Sequence, residues 1–380
     1  MQYRFAAMSV GTLIVFATLW LMWPSPINAV YWDEPEPPTL TGALAPRPAL
    51  DDARITQLGT AGTARSFVVT EDGTVFYGTS TGEVRRRHYS SGADAVLANF
   101  GNAPVADIDW INETRLGVTT PNGLYAVSTV NGESQRISAG VPGHPFGFAH
   151  DLAVAPDGRI YFTDSSTQNH TSERGQNHHL DMLENRPHGA LYVWDPRTFR
   201  TRLAADRLYF PSGIAVASDY QSVYISERFR FRILRHWIEG PQAGDTEVFA
   251  SNLPGFPDGL AADGQGRLFI AMPARRSQSL RTIRRNPWLA RIVARLPGWL
   301  QPPTSRPDTF IAVLDEASGD VIATLDETGQ RTCQVSNLNI SNSQDLWFGS
   351  ADCGYMAQLP QAAVQASLHH PSTTAASGND

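Results

Sequence analysis

Residues 148–166 read FAHDLAVAPDGRIYFTDSS. Two short apolar runs, DLAVA and RIYFTD, flank a Pro-Asp-Gly, the pattern of two antiparallel strands joined by a tight turn. The construction returns along the chain. Residues 65–80 read RSFVVTEDGTVFYGTS, 212–227 read SGIAVASDYQSVYISE and 258–272 read DGLAADGQGRLFIAM, while IDWINETRLGVTT and SNLNISNSQDLWFGS are weaker copies. The six units start about forty residues apart, irregularly spaced but close to the size of a four-stranded propeller blade. Further strand-like sequence follows each hairpin, such as GALYVWDPRTFRTRLAA after the third unit and RILRHWIEG with TEVFASNL after the fourth. The expectation is an all-β, six-bladed β-propeller over residues 52–360, since a β-sandwich has no reason to repeat one hairpin at this interval. Ring closure predicts that RITQLGT (54–60) pairs as an outer strand beside the last blade, removing two free edges.

The composition agrees. A chain of 380 residues, 42% hydrophobic and 18% charged, is long enough for one large turn-rich core, and a formal net charge of -7 argues against a nucleic-acid partner.

Ahead of the repeats, FAAMSVGTLIVFATLWLMW (5–23) carries no charge and is long enough to span a bilayer. With Arg4 before it and Asp33, Glu34 and Glu36 after it, residues 1–30 read as a signal anchor and transmembrane helix that keeps the N-terminus cytoplasmic and exports the propeller. A cleaved signal peptide ending near Ile27-Asn28-Ala29 ranks second, because the run exceeds a usual apolar core. Residues 31–51 are proline-rich and expected to form a stalk; residues 361–380 are expected to be disordered. Cys333 and Cys353 bracket the strand LWFGS in the last unit. They form a disulfide on the exported side or remain two buried thiols.

In a propeller the first strand of each blade lines the central channel, so equivalent positions form a ring at one mouth. Counting ten residues back from the residue opening each second strand gives Arg65, Ala106, His150, Asp258 and Ser336, and Ser212 in the fourth unit with its one extra turn residue. His150 and its neighbour Asp151 are the candidate catalytic residues; Arg65, Ser212, Asp258 and Ser336 are the candidate substrate-binding set.

FAHDLAVAPDGRIYFTDSS, RPHGALYVWDPRTF, LYFPSGIAV and RILRHWIEGPQAGDTEVFASNLPGFPDGL together resemble the strictosidine synthase-like family, which includes the adipocyte plasma membrane-associated proteins, from about residue 63 to residue 359. The resemblance implies a six-bladed propeller on a signal anchor, within the wider gluconolactonase and paraoxonase group, many of whose members are calcium-dependent lactonases or esterases. Those relatives resemble one another in having Glu in the first blade, Asn in the third and fourth and Asp in the fifth. Here those positions hold Arg65, His150, Ser212 and Asp258, so only the Asp matches. Calcium wants six to eight oxygens, several anionic, and no cofactor is expected. Arg65 is expected to take the metal's electrostatic place and pair with Asp258 across the channel, against the blander reading of two solvated channel residues. Strictosidine synthase relies on a glutamate in its last blade; TCQVSNLNIS carries no acid, so amine-aldehyde condensation is not transferred.

Four other patterns stand out. Gly78-Thr79-Ser80-Thr81-Gly82 matches a nucleophile elbow but joins two strands, where the elbow needs a strand-turn-helix. The insertion 165–189 carries His170, His178, His179 and His188 with Glu173, Asp181 and Glu184; HHLDMLEN reads as a short helix capping the channel mouth, and zinc ligation is the lesser reading. The basic insertion 281–300, with Trp288, Leu289, Ile292, Val293 and Leu296 at helical spacing, reads as an amphipathic helix on a membrane surface or at the channel entrance. Asn112-Glu113-Thr114, Asn169-His170-Thr171 and Asn339-Ile340-Ser341 are glycosylation sequons. The first functional reading is a membrane-anchored hydrolase of small apolar esters or lactones; the second is a non-catalytic binding or scaffold propeller.

Overall fold

The computed structural model describes residues 24–58, 63–142, 144–168, 178–329, 331–350 and 353–369. Six antiparallel sheets of four strands stand around a central channel; in blades 1 to 5 the sequence-first strand is innermost, and in blade 6 the innermost strand is Asn337–Ile340. Blade 1 begins with Ala64–Val69, blade 2 with Asp107–Asn112, blade 3 with Ala149–Val154, blade 4 with Pro211–Val216, blade 5 with Leu260–Ala262 and blade 6 with Asn337–Ile340. Second strands such as Ile160–Asp164 and Ser222–Glu227 are buried along their whole length. A strand sandwiched between neighbouring blades has no wet face, so its apolar residues need not alternate with exposed ones, and polar residues such as Thr163, Asp164, Ser226 and Glu227 are buried with them. Outer strands, such as Ser134–Ser138, are mostly exposed.

Closure is as expected. Arg54–Gln57 pairs antiparallel with Tyr355–Leu359, Arg54 opposite Gln358, so the start of the chain supplies the outer strand of blade 6. Cys333 and Cys353 form a disulfide across the same blade, their Cα atoms 6.5 Å apart. The Gly78–Gly82 stretch is the hairpin turn between Thr74–Thr79 and Glu83–His88.

Each innermost strand leaves one row of N–H groups facing the channel without a ladder partner, and a buried amide without an acceptor is costly. Acidic side chains of the preceding blade supply acceptors. Leu152 N–H donates to Asp107 Oδ2 at 2.9 Å, Val154 N–H to Asp109 at 3.2 Å and Ile214 N–H to Asp151 Oδ2 at 3.0 Å. Hydroxyls on the second strands repeat the device from the other side: Thr119 Oγ1 donates to the His150 carbonyl at 2.7 Å, Thr163 Oγ1 to that of Ser212 at 2.7 Å and Ser226 Oγ to that of Asp258 at 2.8 Å.

Four short helices lie outside the ladders: α1 (His178–Glu184), α2 (Gln278–Arg284), α3 (Pro287–Val293) and α4 (Gln361–His369). Helix α4 occupies the start of the segment expected to be without structure. Val364, four residues before Leu368, is buried in the blade 5 and 6 core, a short apolar period inside an otherwise small-residue run. The basic insertion forms two helices, α2 and α3, broken at Pro287, where a single helix was expected.

Residues 24–51 do not stand off as a stalk. Ile27, Ala29 and Leu50 are buried, and Trp32 stacks on Phe231 with ring centroids 5.9 Å apart. Glu34, 1% exposed, accepts from Arg284 at 3.1 Å and from Arg276 at 3.1 Å, both guanidiniums themselves buried. Val30 N–H reaches the Glu184 carbonyl of α1 and Trp32 N–H the Arg284 carbonyl of α2. The prolines limit turning but not contact; apolar side chains and one acid facing an arginine cluster tie the segment down as a strap. Among the described residues no helix is long and apolar enough to cross a membrane, and the run 5–23 lies outside them.

Candidate functional site

Ladder slips in the innermost strands aim the ring residues. In blade 1 the register shifts between Ala64 and Ser66, spanning Arg65; in blade 3 between Ala149 and Leu152, spanning His150 and Asp151; in blade 4 between Pro211 and Ile214, spanning Ser212. A bulge releases a residue from the pleat and re-aims its side chain. Counting along the sequence found these positions because the bulge recurs at the same place in the repeat.

Arg65, Ala106, His150, Asp258 and Ser336 line one cavity at the channel mouth, with Asp151 at its floor. Ser212 does not line it: its side chain is wholly buried and its hydroxyl has no hydrogen-bond partner. Phe148, Phe210 and Pro273 supply apolar wall, and His178 enters from α1. HHLDMLEN forms the short helix expected, and its first residue, His178, borders the cavity. Its Asp181 accepts from Ser166 Oγ at 3.0 Å and its Glu184 contacts His188 at 3.1 Å; among the described residues no group of three acidic, histidine or cysteine side chains could hold a metal. His170 and Glu173 lie outside the described residues.

The residue that sequence reasoning missed is Arg228. It opens the single-turn 3-10 helix Arg228–Arg230 after the second strand of blade 4, and its guanidinium Nη1 donates to Asp258 Oδ2. The ion pair expected between Arg65 and Asp258 is therefore held by Arg228. Arg228 lies in a 3-10 turn between the second and third strands of blade 4, capped by Phe231 at φ +53°, which the repeat count does not contain. A signal was present in ERFRFR (227–232), where arginines and phenylalanines alternate at the end of an inner strand. Asp258 Oδ1 remains buried without a hydrogen-bond partner.

The electrostatics are those of a cation-rich pocket. Burial first, then the nearby Arg65 and Arg228 guanidiniums, push the His150 imidazole down to about 3, so it is neutral at physiological pH, and its Nδ1 is buried without a hydrogen-bond partner. Asp151 is driven the other way, well above the carboxylate range, by burial and by Asp107; its oxygens accept from Leu152 N–H at 3.1 Å and Ile214 N–H at 3.0 Å. It joins blade 3 to blade 4 while bordering the cavity.

This donor set does not suit calcium. Two guanidiniums and an imidazole face the cavity, and the carboxylate at the one matching position is already held by Arg228. A divalent cation there would meet repulsion in place of oxygen ligands. All thirty basic residues are arginines, so a lysine Schiff base is not available to this chain either.

A six-bladed propeller with a polar cavity at one channel mouth, partly roofed by inserted helices, is the class that fold and site define. Residues 150–241 match the strictosidine synthase family. The adipocyte plasma membrane-associated protein of Danio rerio is 30% identical over 300 residues, covering 72% of this chain and 69% of that protein. That of Bos taurus is 27% identical over 358 residues, covering 88% and 85%. Protein strictosidine synthase-like 13 of Arabidopsis thaliana is 30% identical over 239 residues, 63% of this chain and 56% of that one. The chain belongs to the strictosidine synthase-like family. Among solved structures, a gluconolactonase from Xanthomonas campestris aligns with TM-score 0.59 at 21% identity, covering 89% of this chain and 99% of that one. A luciferin-regenerating enzyme aligns with TM-score 0.59 at 11% identity, covering 81% and 95%. These two establish the likeness of fold.

Proposed function

We propose that the protein hydrolyses small apolar esters or lactones at the channel mouth without the calcium that the wider group implies, its propeller held outside the cytoplasm by residues 5–23. The observation that carries the reading is the grouping of Arg65, Arg228, His150 and Asp258 in one cavity with Phe148 and Phe210 on its wall. A carbonyl lodged there has two guanidiniums for the oxyanion that forms when water adds to its carbon. That oxyanion offsets the two charges that hold His150 down, so the imidazole gains basicity as the tetrahedral species forms. His150 takes the proton of the attacking water and returns it to the alkoxide when the carbon to alkoxide bond breaks. The products, a carboxylate and a hydroxyl, match the arginines and the unpartnered Asp258 Oδ1 respectively. Asp151 fixes the blade that carries His150.

The likeness of fold to a gluconolactonase, and the names of the plasma membrane-associated relatives, are consistent with this reading. The Cys333–Cys353 disulfide suits an oxidising compartment. The test is a panel of aryl esters and lactones with the full chain in detergent, beside His150→Ala. Turnover that His150→Ala reduces at least a hundredfold is the expected result; turnover untouched by His150→Ala removes the mechanism. The second reading, a non-catalytic binding propeller, is favoured by the low basicity of resting His150. Carboxylate binding in calorimetry without turnover on any member of the panel would select it.

A further inference from the structure

We infer that α3 and the turn after it lie against the lipid surface, so that the roofed side of the propeller faces the bilayer. The inference rests on the reading of residues 5–23 as a membrane anchor. Trp299, in the 3-10 turn Gly298–Leu300, is 82% exposed, with Trp288 64% and Leu300 50% exposed. They cluster within thirteen residues, whereas the other large exposed apolar side chains are scattered over strap, blade edges and turns. Helix α3 keeps Ala290 and Val293 buried toward the propeller and turns Trp288 outward, so this is the outer face of a packed helix.

The chain itself says what covers the patch. Arg291, one turn beyond Trp288, donates to Asn28 Oδ1 at 3.3 Å. Trp23, the last residue of the uncharged run, is five residues before Asn28, a span of at most about 17 Å even fully extended. An anchor formed by residues 5–23 would therefore leave the membrane within that distance of Asn28, on the α3 side of the propeller. The patch suits a headgroup boundary: tryptophans with apolar bodies and N–H edges favour that depth, and exposed Arg291 gives local positive charge on a chain of formal net charge -7, Arg285 being paired with Asp33. Helix α3 packs on α1, whose His178 borders the cavity. The helix that borders the cavity is thus separated from the proposed lipid face by α3.

The test reconstitutes the full chain into vesicles of four parts phosphatidylcholine and one part phosphatidylglycerol, with or without brominated acyl chains, and reads tryptophan quenching. Trp288→Phe with Trp299→Phe is compared with Trp20→Phe with Trp23→Phe and with the control Trp237→Phe on blade 4. The expected result is that each of the first two pairs lowers the bromine-quenched fraction by a third or more and that Trp237→Phe leaves it unchanged. Loss of quenching with the Trp20 and Trp23 pair alone overturns the docking surface and leaves the anchor standing. Loss with the Trp288 and Trp299 pair alone keeps the docking surface and removes the anchor. No quenching at any of the four, or a dimer in solution that Trp288→Phe with Trp299→Phe dissolves, gives the face to something other than lipid and overturns the inference.

Discussion

Arg228 Nη1 hydrogen-bonds Asp258 Oδ2, which joins a turn of blade 4 to the ring residue of blade 5 and leaves Asp258 Oδ1 facing the cavity without a partner. The carboxylate is 4% exposed, so removing its cation strands a buried charge. Such a loss costs several kcal/mol when burial is complete, and about 2 kcal/mol is expected here, where Arg228 itself is partly exposed. Arg228→Met should therefore lower both chemical stability and the affinity for carboxylates. Arg65→Met should lower affinity about tenfold. Calorimetry with a carboxylate product, alongside urea titration, separates the two.

Calcium should leave the wild-type melting temperature unchanged. Arg65→Glu with Ser212→Asn restores two oxygen donors, but Arg228 still occupies Asp258, so that pair alone should gain nothing. Adding Arg228→Asn should produce a calcium-dependent rise, since a ligand that binds only the folded state stabilises it by mass action. Thermal melts with calcium and with chelator decide it; a rise in the wild type would contradict the site as described.

His150 sets part of the acid sensitivity. Its native value of about 3 lies below the ordinary histidine value of 6.5, so the unfolded chain binds the extra proton between those limits. Stability is complete above about 6.5 and falls as pH drops toward 3, by no more than about 1.4 kcal/mol per unit. His236, pushed down to about 4 by burial, adds to the same slope. His150→Gln should flatten the stability curve between pH 6 and pH 4 when followed by urea denaturation.

Asp109 acts with the opposite sign. Burial and neighbouring Asp107 push it up to about 7, so the native state holds a proton that the unfolded state releases near 4. Its contribution is full below about 4 and is lost as pH rises through 7. Asp109→Asn keeps an acceptor for Val154 N–H and should reduce the fall in stability between pH 5 and pH 8 by about 1 to 3 kcal/mol. Paired denaturation curves at the two values check this.

Glu34 neutralises Arg276 and Arg284, two guanidiniums with almost no solvent contact. Glu34→Ala should destabilise by about 3 to 5 kcal/mol, because it leaves those charges buried and unpaired. The strap also holds α1 through Asn28 N–H on Glu184 Oε1 at 2.7 Å, so hydrogen exchange should speed up in α1 and α2 before it does in the blades. Uniform exchange across all elements would show that the strap does not hold the roof.

The blade count was legible because the second strand of each blade is buried on both faces and carries closely set apolar residues, which makes IYFTD, SVYISE and LWFG recur at a readable interval. The ring positions were reachable for a related reason, as the bulge that frees Arg65, His150 and Ser212 keeps its place relative to the following turn. Chain order could not disclose which cation meets Asp258, since the partner comes from a turn of the adjacent blade thirty residues away. Nor could it disclose the state of His150, whose basicity is set by burial and by two arginines far away along the chain. The strap eluded composition for the same reason. Prolines and acids mark a segment as polar and extended, but only the fold places Glu34 against Arg276 and Arg284, some 240 residues later, where the buried charges require it. Local periodicity specifies strands because each strand meets the same surroundings in every blade; pairings between charges are specified only by the three-dimensional distances that closing the ring creates.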